Sequence, residues 1–395
     1  MKKQKLIILF TVLVDVIGFG IVIPILPFYV TEFGGTPFVI TAMFASFSIC
    51  AFLSAPLLGA ISDRVGRRPV LIISILSTAI GWFVFAGANS IPLLFLGRII
   101  DGAAAGNFTI AQSYIADISG DDKDRSANLG LIGAVFGVGF MLGPLLGGIL
   151  STVSHAFPFW IAGGLALANT VTAYFFLPET HHHRGEARPL SFNPLRPLQR
   201  AMVDTRLRPL FLTWLMFTLA FVTSQSVFAL FVKDVFQYNS FMTGMLFTGT
   251  GVIVAINQTV FLKRFWLKHF SESSLEIGML AAIAVSGILA ASKLLFLFYV
   301  SLVLNAIGQS VLRVVVTSQV AGKADPKMKG ETLGILSSIM AASMATAPLI
   351  AGMLFELKNV LPFLVASGYL TTGLVIAIRH RRRLSATPLG GVVAQ

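Results

Sequence analysis

Apolar residues in this chain come in runs of about 20, separated by short clusters of glycine, proline and charge. A run of that length crosses a ~30 Å hydrocarbon layer as an α-helix rising ~1.5 Å per residue. The runs predict twelve spans, at about 6–30, 37–61, 69–89, 92–116, 126–151, 157–178, 209–234, 241–263, 275–292, 294–321, 331–355 and 360–378. In lipid each backbone amide must be satisfied within its own segment, so the pattern predicts an all-α membrane protein. Composition agrees: the 395 residues are 55% hydrophobic and 12% charged, where a soluble domain is about 25% charged. The first run is too long for a signal-peptide core and lacks a small-residue cleavage site, so the first span is expected to be retained.

Lysine and arginine give the orientation. With the N-terminus cytoplasmic, the inside loops and tails hold 24 of them and the outside loops three, namely Lys233, Lys293 and Lys358. That asymmetry is a positive-inside signal and requires an even number of spans. The expectation is a multi-pass protein of a cell membrane, bacterial and inner, with both termini cytoplasmic. The net charge of +12 then serves topology and anionic headgroups rather than nucleic acid. Cys50 is the single cysteine, which excludes a disulfide framework and cysteine-based metal sites. The histidines at 181–183 in the longest loop have no carboxylate or cysteine at ligand spacing, so they read as linker.

The two halves repeat. GPLLGGIL at 143–150 matches APLIAGML at 347–354, an offset of 204, and the same offset aligns Leu129-Gly130 with Leu333-Gly334. The expected organisation is a six-helix bundle over 1–178, a central loop over 179–208, a second bundle over 209–378 and a tail over 379–395. Duplicated bundles with a site between the halves are a transporter design.

Several stretches resemble one family. GAISDRVGRRPV at 59–70 resembles the loop 2–3 signature of the major facilitator superfamily. LVDVIGFGIVIPILP at 13–27 resembles the first-span signature of its twelve-span drug:proton antiporter branch. GRIIDGAAAGNFTIAQSYIADI at 97–118 and GLIGAVFGVGFMLGPLLGG at 130–148 are similar to its span 4 and span 5 signatures. With FNPL at 192–195, the order of these pieces looks most like the tetracycline efflux proteins. The resemblance implies the major facilitator fold: twelve transmembrane helices as two six-helix bundles related by pseudo-two-fold symmetry. It departs in two places. The exporters carry an acid in span 3 where this chain has Gly81, and span 9 lacks a central acid.

Charges inside spans are few, and each costs roughly 2.5–3.5 kcal/mol on insertion scales. Asp15 lies about 13 Å from the cytoplasmic end of span 1, and Asp101 about 15 Å from the outer end of span 4. Arg98 and Asp101 share a helix face. If spans 1 and 4 line the cavity, as the resemblance implies, Asp15, Arg98 and Asp101 form a small network. Two carboxylates beside one guanidinium can share a proton, which is the chemistry of a proton-coupled carrier; the alternative is a purely structural ion network. Candidate cavity residues are Asn107, Gln112, Gln225, Asn257, Gln258, Asn305, Gln309 and Arg313. Arg313 either snorkels to the cytoplasm or faces the cavity and favours an anionic or zwitterionic substrate. Phe136, Phe140, Phe221 and Phe228 lie near the presumed cavity helices.

Gly139, Gly143 and Gly147 fall on one face of span 5, with Pro144 able to bend the helix. They read as a gating contact between the halves or as small-residue packing. Asp63, Arg64, Gly66, Arg67 and Arg68 form the loop 2–3 cluster, joined by Asp117. In the family the matching aspartate meets the N-terminal end of span 11, here near Glu331, as a cytoplasmic latch; the alternative is a topology signal alone.

No GxSxG, HExxH, Walker loop or Cys-His pair is present, so no enzyme activity, cofactor or metal is expected. The proton is the coupling ion, and the partners are a small-molecule substrate and the lipid bilayer, with the chain a monomer. The expected function is proton-coupled export of small amphipathic molecules by alternating access. Alternatives are import or uniport of a sugar or organic acid, or flippase-like lipid handling.

Overall fold

A computed structural model describes residues 2–180, 206–325 and 328–386, together with 199, 201, 203 and 204. The histidines at 181–183 and most of the 179–208 loop lie outside the described residues, as do 387–395.

Among the described residues, twelve helices are long and apolar enough to cross a membrane. They are α1 (Lys2–Glu32), α2 (Pro37–Val65), α3 (Arg67–Ala86), α4 (Ile91–Ala103 and Asn107–Asp117), α5 (Asp122–Leu150) and α6 (Phe157–Phe176). The second six are α7 (Arg208–Phe236), α8 (Ser240–Ile256), α9 (Glu272–Ala291), α10 (Leu295–Lys323), α11 (Lys329–Leu357) and α12 (Leu361–Ala386). α8 continues as a π-helical stretch over Asn257–Trp266. The predicted spans all appear, with two differences. Span 4 is broken at residues 104–106, and span 12 runs on as helix through the arginines into the expected tail. No strand occurs among the described residues.

Local signals start the helices. Proline stands in the first turn of α2, α4 and α6, where its missing N–H has no intrahelical partner to lose. Thr36 caps α2, Asp121 caps α5 and Ser271 caps α9, each accepting from a backbone N–H three residues on. The α9–α10 hairpin is three residues long and places Lys293 at φ +60°.

The repeat is visible in the starts. α4 and α10 begin at Ile91 and Leu295, and α6 and α12 at Phe157 and Leu361, both 204 apart. Across the six pairs the separation stays between 203 (Pro37 to Ser240) and 207 (Asp122 to Lys329).

Two compact units result. One holds Met1–Pro194 with Gln225–Val252 and Met344–Leu357, around Ile8, Val12, Leu71, Ile75 and Tyr114. Within it, parts of α7, α8 and α11 pack on the first six helices. The Ser151 hydroxyl donates to Ser240 Oγ at 2.8 Å, and Lys233 Nζ donates to Thr31 Oγ1 at 2.6 Å. The Phe38 amide, in the first turn of α2, donates to Glu356 Oε1 of α11 at 3.1 Å. The other unit holds Leu195–Ser224, Ile253–Ser343 and Lys358–Gln395, around Trp214, Leu280, Val311, Val315 and Leu336. There Trp214 Nε1 donates to the Leu336 carbonyl at 2.9 Å.

Candidate functional site

The break in α4 builds the site. GAAAG at 102–106 has almost no side chain, so α2 lies close. A Cβ on Gly102 would stand 2.7 Å from the Phe47 carbonyl, and one on Gly106 2.9 Å from Leu58. α3 approaches from the other side. A Cβ on Gly81 would meet Asp101 Cβ at 2.9 Å, and one on Gly97 the Gly81 carbonyl at 2.8 Å. Hydroxyls serve carbonyls near the break: Ser77 donates to Ile100 O at 3.0 Å and Ser54 to Gly102 O at 2.9 Å. Irregular backbone at membrane depth persists only where neighbours satisfy it in this way.

Arg98 is 1% exposed and Asp101 6% exposed. Arg98 Nη1 donates to Asp101 Oδ2 at 3.2 Å. The guanidinium centre lies 4.3 Å from the Phe47 ring and 5.3 Å from the Trp82 ring, an attraction that gains strength in a desolvated site. Asn107, first residue of the second piece of α4, donates through Nδ2 to Asp15 Oδ1 at 3.1 Å and to Thr78 Oγ1 at 3.3 Å. The three residues expected to form a network thus appear with two further members: Asn107 joins Asp15 to Thr78, and Asp101 pairs with Arg98. Arg98 Nε and Nη2 and Asn107 Oδ1 have no protein partner, although buried. These groups can take up a water or a polar substrate group.

Aromatic rings lead away from Arg98. Phe47 lies 6.3 Å from Phe19, Phe19 6.5 Å from Phe140, Phe140 6.3 Å from Phe136, and Phe136 5.8 Å from Phe108. A buried charge network beside an aromatic strip suits a molecule with one polar and one apolar end.

The span 5 glycines pack differently from the gating expectation. Cβ atoms on Gly139, Gly143 and Gly147 would meet Val16, Gly20 and Ile21 of α1, at 3.0, 2.7 and 3.2 Å. The stripe thus clamps α5 to α1. The contact with α8 falls on the neighbouring register, where Gly148 approaches Gly244 and Phe241 and the Pro144 carbonyl approaches Gly244. Pro144 remains inside an unbroken α5.

The loop 2–3 cluster is densely bonded. Arg67 pairs with Asp63 and bonds Asp117 Oδ2 through Nε at 3.2 Å and Ser62 Oγ through Nη1 at 2.8 Å. Glu179 accepts from the Arg67 and Arg68 amides at 2.9 and 3.2 Å, capping α3 with an anion at its positive end. Gly66, at φ +117°, lies against the same carboxylate. Arg68 Nη2 donates to the Tyr174 carbonyl at 2.6 Å. Arg64 is exposed.

A model described as Major Facilitator Superfamily matches residues 8–272. The chain belongs to the major facilitator superfamily. As a facilitator it is a multi-pass membrane transporter of a small-molecule substrate. It is 31% identical over 359 residues to the class C tetracycline resistance protein of Escherichia coli, covering 88% of this chain and 89% of that one. It is 27% identical over 392 residues to the quinolone resistance protein NorA of Staphylococcus aureus (strain MSSA476), covering 97% and 99%. Among solved structures, the human organic anion transporter MFSD10 (TETRAN) superposes with a TM-score of 0.68 at 25% identity, covering 95% and 99%. The nucleoside transporter NupG reaches 0.75 at 14% identity over 96% and 99%, a likeness of fold.

In this facilitator the remaining cavity candidates separate. Gln112 and Gln258 are exposed and Gln225 is half-buried. Asn257 is committed to structure: it donates to Ser310 Oγ at 2.6 Å and accepts from Trp266 Nε1 at 2.9 Å, across the π-helical stretch. Asn305, Gln309 and Arg313 stand at i, i+4 and i+8 on α10, all half-buried. Asn305 donates to Ser286 Oγ at 3.5 Å, and Arg313 sits 5.6 Å from the Phe221 ring. Among the described residues no carboxylate pairs with Arg313. Three participants were not singled out by sequence: Thr78, Glu179 and Glu276. Glu276, 5% exposed, accepts from Gln319 Nε2 at 2.9 Å. Its place near the start of α9 left it outside a search for a mid-span acid.

Proposed function

We propose that this transporter exports small amphipathic organic molecules in exchange for protons, by alternating access, with both termini cytoplasmic. The observation that carries the reading is the gathering of half-buried Asp15, bonded to Asn107, with the buried Asp101–Arg98 pair on α4. Protonating Asp101 removes the charge that holds the Arg98 guanidinium, and protonating Asp15 removes a charge from the membrane interior. Loaded and unloaded forms therefore differ in how charge is buried and paired, and a charge at mid-membrane costs roughly 2.5–3.5 kcal/mol on insertion scales, a scale able to bias a two-state equilibrium between inward and outward forms. The adjacent aromatic strip gives an apolar end somewhere to bind, and the relatives named as resistance proteins support a drug-like substrate.

The test is proteoliposomes with an imposed pH gradient, read for substrate-driven proton movement. Asp15→Asn and Asp101→Asn are expected to abolish coupling; undiminished coupling in both rejects the reading. A gradient that drives uptake in the same direction as protons replaces export with import.

A second reading concerns substrate charge. The polar stripe ending at Arg313 and the likeness to an organic anion transporter favour anionic amphipaths. A series of cationic, neutral and anionic compounds decides it. Preference for cations, unchanged in Arg313→Gln, removes this reading.

A further inference from the structure

A groove of about 640 Å³ opens where the first turn of α1 meets the end of α6. Its lining combines Lys3, Gln4 and Arg68 with Phe175, Phe176, Leu177 and Pro178. Both helices end here, so the groove sits where a bilayer passes from hydrocarbon to headgroups. Phe175 and Phe176 are 70% and 68% exposed, and Tyr174 is 58% exposed, a cluster of rings largely uncovered among the described residues. Lys3 is exposed and is not drawn into the ion pairs of its helix, whereas Lys5 is held by Asn128 at 2.5 Å.

Arg68 is the informative residue. Its Nη2 bonds the Tyr174 carbonyl, and its guanidinium centre lies 5.8 Å from the Tyr174 ring. Its Nε is buried and has no acceptor in the protein. Two cations, Arg68 and Lys3, beside exposed rings suit a ligand with an anionic oxygen and an apolar body. Glu179, next in sequence to the groove residue Pro178, is occupied by the Arg67 and Arg68 amides.

We infer that this groove binds an anionic phospholipid, with the headgroup phosphate on Arg68 and Lys3 and the acyl chains along Phe175 and Phe176. Basic pockets between transmembrane helices at a membrane surface recognise headgroups in this way. Charge complementarity selects lipid: the polar rim supplies cations, and the apolar wall is of ring and proline carbons that a free inorganic anion leaves uncovered. The site also touches the loop 2–3 cluster, because Arg68 adjoins Arg67, which holds Asp63 and Asp117. Bound lipid therefore fixes one end of the α2–α3 turn, and membrane composition bears on how that turn moves.

Native mass spectrometry of the full-length protein, stripped of lipid and titrated with phosphatidylglycerol, phosphatidylcholine or inorganic phosphate, tests the proposal. Phosphatidylglycerol is expected to leave at least a fivefold higher bound fraction than phosphatidylcholine. Lys3→Gln and Phe175→Ala should each lower it about twofold, Arg68→Gln more, and Lys263→Gln, a basic residue elsewhere, should leave it unchanged. Equal retention of the two lipids overturns the proposal, as does equal phosphatidylglycerol binding in Lys3→Gln, Phe175→Ala and the parent. Displacement of phosphatidylglycerol by millimolar phosphate overturns it in favour of a free-anion site. Lys3→Gln and Phe175→Ala lie outside the loop 2–3 bonds, so they keep the test valid if Arg68→Gln fails to fold.

Discussion

α4 and α10 are repeats of one another, yet only one of them carries a buried ion pair. Their starts are 204 residues apart, which places Asn305 opposite Asp101 in the alignment and Leu302 opposite Arg98. α4 is broken at 104–106 and its charges are paired, bonded and stacked; α10 is continuous, and its polar stripe holds amides and one unpaired arginine. The difference teaches that duplication supplied the scaffold while one copy gathered a paired charge that the other lacks among the described residues. A charged pair needs close helices around it, and the glycines at 81, 97, 102 and 106 supply them around Arg98 and Asp101.

The largest expected effect comes from breaking the pair. Arg98→Met leaves Asp101 uncompensated, and such losses cost about 3–5 kcal/mol. Thermal unfolding of purified protein should show it, and Arg98→Met/Asp101→Asn should recover part of the loss. Next is the close approach that surrounds the pair. Gly97→Ala puts a methyl 2.8 Å from the Gly81 carbonyl, and overpacking of this kind costs about 1–3 kcal/mol. Its unfolding temperature should fall, while Gly133→Ala, with nothing within 4 Å, should be near neutral. In the second half, Asn257→Ala strands Ser310 and Trp266, at about 1–3 kcal/mol for a buried partner left unsatisfied. The smallest change is Arg313→Met, with no ion pair to lose; its stability should shift by less than about 1 kcal/mol, within the range of ordinary substitutions. A loss there as large as in Arg98→Met would erase the contrast between the two helices.

Much of this was legible in the residues. Runs of apolar side chains mark spans because lipid imposes one solution on the backbone, and an internal offset survives in GPLLGGIL and APLIAGML. Asp15, Arg98 and Asp101 stood out because charge is rare there. What stayed hidden depends on which helix lies opposite. Thr78 looks like any other span threonine until Asn107 donates to it. The Gly139, Gly143 and Gly147 stripe announces a close neighbour without naming α1. The break in α4 is invisible to hydropathy, since GAAAG is as apolar as the helix around it. Glu179 sits 112 residues from the amide it caps, a distance that no local pattern spans.

The bond from the Phe38 amide to Glu356 has a consequence in time. The two residues are separated by 318 positions. A ribosome making this protein from its N-terminus finishes α2 long before it reaches the acid that completes that helix's first turn. For most of synthesis the amide must rely on water or a headgroup, so the second helix waits for the eleventh before its end is closed.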